Sequence, residues 1–297
     1  ARVGILDYLR PNSSNALPVS HVTLPKILRR NGYATGMAGK WHLTGYKYQK
    51  AKFEVRPTAH GFDWNTGSEV KGVGNGANFW PYVFRTQPIR WIDFKENRLG
   101  DKEYLTDRLN LEAVEFVERN KDKPFFLFVS HESPHFPFQG PGDAKKVVDE
   151  TNWMEADAKT YVAMLENLDG EVGRVLKTLK EKNLEEETVV IFVSDNGGFA
   201  KAAHMGPLKG AKSSTLEGGI RVPLIIRWPG RIESGKPSDQ VCATFDLTRS
   251  ILNLAATKVP AKKLDGIDLI DHLANKKPDF KRTLYWRGKR GVRTWWA

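Results

Sequence analysis

The 297-residue chain is long enough to bury a sizeable core, as one large α/β domain or two small ones, and its 40% apolar content with nine tryptophans excludes a disordered polymer. The net charge of +11, from 46 Lys and Arg against 35 Asp and Glu, favours anionic partners. No basic helix interleaved with aromatics, no zinc-finger spacing and no membrane-length apolar run accompanies it, so neither nucleic acid nor a membrane span is expected.

Thr23 can cap a helix with Pro25 in its first turn, running to Arg30 and stopped by Asn31-Gly32. Residues 34–38 then read as a short strand that delivers Lys40 and His42. Residues 60–97, rich in Gly, Trp, Phe and Asn, show no period and read as a long, partly ordered insertion. Thr106 or Asp107 can cap a second helix with Leu109, Ala113, Phe116 and Val117 on one face. Residues 124–129 follow as a fully buried strand. A long helix carries Val162, Leu165, Leu168, Val172, Val175, Leu176 and Leu179 at helical spacing, a core stripe rather than a cofactor box. Residues 189–193 and 222–226 are two more buried strands, the latter ended by Trp228-Pro229-Gly230, and 245–255 a further helix.

Strand–helix alternation with continuous apolar strands predicts an α/β fold, a mainly parallel central sheet with helices on both faces. In such sheets ligands bind beyond the carboxyl ends of the strands. His131 and His135 follow one buried strand and Asp195 and Asn196 another, so two independent strands deliver polar groups to one rim.

In Gly39-Lys40-Trp41-His42-Leu43, a cation and an imidazole stand two residues apart. If the run is extended, both side chains share a face and suit an anionic tetrahedral group. A surface lysine beside a half-buried histidine is the plainer reading of the same spacing. His131-Glu132-Ser133-Pro134-His135 spells the H-E-x-x-H of zinc proteases, but that chemistry needs a helix, and Pro134 and Pro137 oppose one. Asp195-Asn196 supplies two hard oxygen ligands suited to calcium or magnesium, and equally the turn formers of an Asp-Asn-Gly turn. The single cysteine, Cys242, excludes an internal disulfide and a cysteine-rich zinc site.

Four segments resemble, in the family's order, the type I (formylglycine-dependent) sulfatases of the alkaline-phosphatase-like superfamily. They are Gly39-Lys40-Trp41-His42-Leu43, the loop Ser130-His131-Glu132-Ser133-Pro134-His135-Phe136-Pro137, the strand end Ser194-Asp195-Asn196-Gly197-Gly198, and Pro207-Leu208-Lys209-Gly210-Ala211-Lys212 running on through Glu217-Gly218-Gly219. The resemblance covers nearly the whole chain. It implies a sulfuric ester hydrolase acting on a sulfated small molecule or polysaccharide, in a periplasmic, extracellular or lysosomal compartment. Lys40 and Lys212 would hold the sulfate oxygens, His135 would contact substrate, and His135 or Lys212 would protonate the leaving alcohol. His42 would take the proton that releases sulfate from a covalent intermediate. Lys209 competes for the second lysine role, and the distance to Glu217-Gly218-Gly219 favours Lys212. Arg221 is expected to pair with a carboxylate in the sheet.

The resemblance also assigns Asp195 and Asn196 to one calcium ion (Ca2+), completed in the family by an adjacent aspartate pair that this sequence lacks. The family's nucleophile lies in Cys-x-Pro-Ser-x-Arg, whereas the only cysteine here reads Cys242-Ala243-Thr244-Phe245. Arg2-Val3-Gly4-Ile5 resembles the segment just after that motif, and Thr283-Leu284-Tyr285-Trp286 the entry to a smaller C-terminal subdomain. The expectation is therefore an internal fragment: residues 1–280 a catalytic domain without its first strand and nucleophile, residues 281–297 the start of the second subdomain, and no activity on its own. A phosphoester or phosphonate hydrolase of the same superfamily and a non-catalytic anion-binding relative are the alternatives. The sequence assigns no oligomeric state.

Overall fold

The computed structural model describes residues 16–43, 55–67, 78–82, 94, 96–149, 151–257, 264–288 and 291–295. The chain divides into two compact units, Ala1–Lys182 and Asn183–Ala297. Among the described residues no helix is long and apolar enough to cross a membrane.

The first unit runs α1 (Leu24–Arg30), β1 (Ala34–Gly39), a single 3-10 turn (Pro57–His60), β2 (Trp64–Thr66), α2 (Leu105–Asn120), β3 (Phe125–Ser130) and α3 (Ala158–Glu181). Its sheet is parallel, with β1 between β2 and β3, so Ala38 faces Thr66 on one side and Val129 on the other. Alternation along β1 separates two cores. Ala38 packs with Tyr82, Phe94, Leu105 and Leu109, whereas Met37 packs with Trp41 and Phe62. A Cβ on Gly36 would lie 2.4 Å from the Phe116 ring, so β1 is stripped of side chains where α2 crosses it.

Within the stretch 60–97, expected to be a partly ordered insertion, the three residues of β2 form a sheet strand that the sequence did not single out. It is tied to β1 by Asp63, whose Oδ2 accepts from the Thr35 backbone N–H and hydroxyl, both at 3.0 Å. Helix α2 begins slightly earlier than expected, with Tyr104 rather than Thr106 or Asp107 at its N-cap. Thr106 and Asp107 are spent on tertiary contacts instead, Thr106 Oγ1 meeting Glu132 at 3.3 Å and Asp107 accepting from Asn167 of α3 at 2.8 Å. Thr23 is the N-cap of α1, yet its hydroxyl donates to the His60 carbonyl rather than to the helix. Strand β3 is half-buried rather than fully buried, with Phe128 46% exposed, because among the described residues it pairs on one side only. Below the sheet, a buried network binds residues 96–104 to α2. Arg108 donates to Glu103 at 3.0 Å and to Glu112 at 2.9 Å, and the Tyr82 hydroxyl donates to Glu103.

The second unit runs β4 (Val190–Val193), a one-turn α4 (Glu217–Ile220), β5 (Leu224–Arg227), α5 (Thr244–Leu254), α6 (Leu269–Ala274), and the strands β6 (Leu284–Gly288) and β7 (Gly291–Trp295). Strand β5 lies antiparallel to β4, with Val193 opposite Leu224, and β6 pairs antiparallel with β7. The parallel character of the fold thus rests on β2-β1-β3. Neither β4 nor β5 is fully buried, since Phe192 is 38% and Ile225 59% exposed. Asp246, fully buried, organises the helical part. It accepts from the Ala243 and Ile267 backbone N–H groups at 2.7 and 2.8 Å and from Arg282 at 2.9 Å.

Candidate active site

In the first unit β1 and β3 are adjacent and parallel, so both end at one rim. The last paired residues are Gly39 and Ser130, and the Lys40 N–H donates to the Ser130 carbonyl at 2.9 Å. Gly39 has φ +106°, and a Cβ there would stand 2.1 Å from that same oxygen, so only glycine closes the two strand ends. This corrects the argument that Lys40 and His42 share a face by strand alternation. The strand stops at Gly39, and His42 sits at φ 49° in the irregular segment beyond it. That segment, not a pleat, sets their directions.

The chain leaving β3 forms turns, not the helix that an H-E-x-x-H metal motif requires. The His135 N–H donates to the Glu132 carbonyl at 2.7 Å. Nδ1 of His135 lies 2.8 Å from the Phe136 carbonyl, an oxygen that can only accept, so Nδ1 carries the proton in this contact. Phe136 in turn packs edge-on against Trp153 at 4.8 Å. Lys40, His42 and His135 thus leave neighbouring strand ends on one rim.

Two residues in this loop carry more than their sequence suggested. Glu132 is 4% exposed and His131 has a buried Nδ1. Burial pushes the Glu132 carboxyl up to about 7 and the His131 imidazole down to about 4. The sequence signal for both was only the acid between two histidines after an apolar strand.

In the second unit β4 ends at Val193 and opens into Ser194-Asp195-Asn196-Gly197-Gly198. That turn is laced to residues 209–219 by backbone hydrogen bonds. Gly197 N–H donates to Gly219 at 3.0 Å, Lys212 N–H to Gly198 at 3.0 Å, and Gly218 N–H to Lys209 at 2.8 Å. The lacing brings Lys212 beside the Asp195–Asn196 strand end. Arg221, itself exposed, pairs with a carboxylate as expected, but with half-buried Glu217 of α4 at 3.2 Å rather than one in the sheet.

The donor set of that strand end fits a hard cation in kind. Asp195 is exposed, and Asn196 donates its Nδ2 to the Gly197 carbonyl at 2.9 Å, which turns Oδ1 into the amide's available acceptor. Calcium takes six to eight oxygens. Among the described residues no group of three or more His, Cys, Asp or Glu could hold a metal ion. By themselves Asp195 and Asn196 could supply only part of such a shell.

A family model described as Sulfatase matches residues 3–257, and the chain belongs to the sulfatase family. It is 29% identical over 303 residues to "Uncharacterized sulfatase YdeN" of Escherichia coli (strain K12), covering 93% of this chain and 51% of the relative. It is 29% identical over 292 residues to N-acetylgalactosamine-6-sulfatase of Canis lupus familiaris, covering 92% and 52%. Among solved structures it resembles Ps i-CgsB in complex with k-i-k-neocarrahexaose, with TM-score 0.77 and 30% identity over 96% of this chain and 65% of that one. The chain spans about half the length of the curated relatives it matches. The sulfatase family is generally metal-dependent.

Proposed function

We propose that the protein is a sulfuric ester hydrolase acting on a sulfated carbohydrate. The observation that supports this is the Lys40–Ser130 backbone bond, which joins the ends of two parallel strands that Lys40 and His135 follow in the chain. The relatives that act on sulfated sugars, N-acetylgalactosamine-6-sulfatase by name and Ps i-CgsB by its bound neocarrahexaose, support the substrate class.

In this reading Lys40 and Lys212 neutralise the sulfate oxygens, where negative charge accumulates as the S–O bond breaks. His135 through Nε2, or Lys212, protonates the departing alkoxide. His42 accepts the proton whose loss expels sulfate from the covalent intermediate. Asp195 and Asn196 would supply part of a calcium shell, and the ion when bound would add positive charge against the nucleophile and the sulfate. The nucleophile would come from a Cys-x-Pro-Ser-x-Arg segment, which none of the 297 residues matches. Residues 281–297, containing the β6–β7 pair, would open the smaller C-terminal subdomain. The compartment would be periplasmic, extracellular or lysosomal.

The test is expression of the complete gene product with formylglycine-generating machinery, assayed in parallel on aryl sulfate and aryl phosphate. Faster turnover of sulfate supports the reading. Preferential turnover of phosphate would make it a phosphoester hydrolase, and binding of sulfate without turnover a non-catalytic relative.

A further inference from the structure

The opposite end of the β2-β1-β3 sheet holds a pocket that the scheme above does not use. Its volume is about 470 Å³, within the range of about 300–1,000 Å³ common to small-molecule sites. Strands β1 and β2 open into it with Ala34 and Trp64, and the last turns of α1 and α2 reach it with Arg29 and Arg119. Lys40 follows the far end of β1, and six strand residues at about 3.3 Å each set the two ends about 20 Å apart. A ligand seated here touches neither Lys40 nor His135.

Three cations line it, Arg29, Arg119 and Lys123, against one acid, Asp63. That acid is already engaged: Oδ1 meets Arg29 Nε at 2.7 Å, and Oδ2 accepts from Thr35 at 3.0 Å. Glu115 lies 3.7 Å from Arg119 but is held by Arg98, and Glu118 pairs with Lys182 at 2.8 Å. The helix dipole favours a cation in a last turn, which accounts for Arg29 and Arg119 singly. It accounts neither for Lys123 nor for the aromatic rings that share the lining. Trp64 stacks on Phe116 at 5.3 Å, and the Arg119 guanidinium lies over the Trp64 ring at 5.4 Å. Asn120 spends its Nδ2 on the Phe116 carbonyl at 2.8 Å, so what it offers a ligand is an acceptor oxygen.

Guanidinium and ammonium groups suit sulfate oxygens. An amide oxygen suits a hydroxyl donor instead, and the rings of Trp64 and half-buried Tyr33 suit the C–H face of a sugar. We propose that this pocket is a second binding site for a sulfated carbohydrate chain, holding a stretch of the polymer remote from the bond being cleaved. Sulfate oxygens would lie on Arg119 and Lys123 and a sugar hydroxyl on Asn120. The proposal rests on the reading of the protein as one that acts on a sulfated carbohydrate. Two points of attachment hold a polymer more tightly than one.

The experiment uses the complete gene product and three probes: a sulfated galactan hexasaccharide, its desulfated counterpart and a DNA duplex of equal charge. Lysine acylation, read by peptide mass spectrometry, reports which amines each probe covers. The sulfated hexasaccharide should slow acylation of Lys123 and leave Lys236 and Lys276, exposed cations of the second unit, as in the free protein. The desulfated sugar should protect none of them. Combining Arg119→Gln with Lys123→Gln should weaken binding of the sulfated probe about tenfold or more, the loss expected for hydrogen bonds to charged groups. Equal protection of all three lysines, equal protection by the desulfated sugar, or parent-like affinity of the double variant would overturn the proposal. Protection of Lys123 by the duplex at lower concentration than by the sugar would overturn it in favour of a nucleic-acid site. Aryl-sulfate turnover without protection of Lys123 would remove the second site and leave the hydrolase reading standing. Protection without turnover would uphold the site and count against the hydrolase reading alone.

Discussion

Gly197 and Gly218 pack so closely that a Cβ on Gly197 would lie 1.8 Å from the Gly218 carbonyl oxygen. That contact is the clasp between the strand end bearing Asp195 and Asn196 and the loop bearing Lys212. Gly197→Ala should force the two apart, costing roughly 1–3 kcal/mol of stability as overpacking does. It should also weaken sulfate binding more than the stability loss explains. Urea unfolding and sulfate titration of the variant measure both, and parent-like values would show that the clasp yields without consequence.

Arg108 is 4% exposed in side chain and is shared by Glu103 and Glu112 beneath the sheet. Removing one partner of a buried ion pair strands the other charge, at about 3–5 kcal/mol. Arg108→Met should therefore destabilise by about that amount, while Arg119→Met, at an exposed residue 3.7 Å from half-buried Glu115, should stay within about 1 kcal/mol. Chemical denaturation compares them directly.

Two buried groups in one loop push stability in opposite directions with pH. The folded-state pKa of His131 lies near 4, below its ordinary 6.5. Its contribution is fully present above pH 6.5 and is lost as pH falls toward 4, on the order of 3 kcal/mol in all. Glu132 is raised from 4.5 to about 7, so its contribution is fully present below pH 4.5 and is lost as pH rises through 7. Glu132→Gln should consequently gain stability relative to the parent between pH 5 and 8, and His131→Gln should flatten the acid limb. Unfolding midpoints across pH 4 to 8 decide it; parallel curves for parent and variants would contradict the burial of both groups.

Calcium should bind the 297-residue chain only weakly, because the proposed ligands Asp195 and Asn196 would supply only two of the six or more oxygens that the ion requires. Calorimetric titration should give a Kd of about 1 mM or weaker. Micromolar affinity would mean that further ligands lie within the chain.

Long apolar periods were legible in the sequence and short or directional features were not. The stripe from Val162 to Leu179 announces α3, and apolar runs announce β1, β3, β4 and β5. Trp64-Asn65-Thr66 is too short to show an alternation, so β2 was lost within an aromatic-rich stretch. A run such as Leu224–Arg227 carries no direction, which is why its antiparallel pairing with β4 could not be read. The start of α2 was misplaced because Thr106 and Asp107, good capping residues, are recruited by Glu132 and Asn167 instead. For the candidate site, polar groups immediately after apolar strands were enough to nominate Lys40, His135, Asp195 and Asn196, each of which follows a strand end in the structure. The irregular segment at Gly39 and His42 was not foreseeable, since it is dictated by the approach of Ser130 from a strand ninety residues later. Glu132 stayed hidden because burial is a property of the fold.

The most direct measurement is aryl-sulfate turnover by the complete gene product, comparing the parent with Lys212→Ala and Lys209→Ala. Lys212 is half-buried with its N–H bonded to the Gly198 carbonyl at 3.0 Å, whereas Lys209 is exposed. Losing one group that stabilises developing charge typically costs about 100- to 1,000-fold in kcat. Lys212→Ala should fall by that order, and Lys209→Ala should remain within about twofold to threefold of the parent. Equal activity of Lys212→Ala and the parent, or turnover by a protein without the formylglycine motif, would contradict the account.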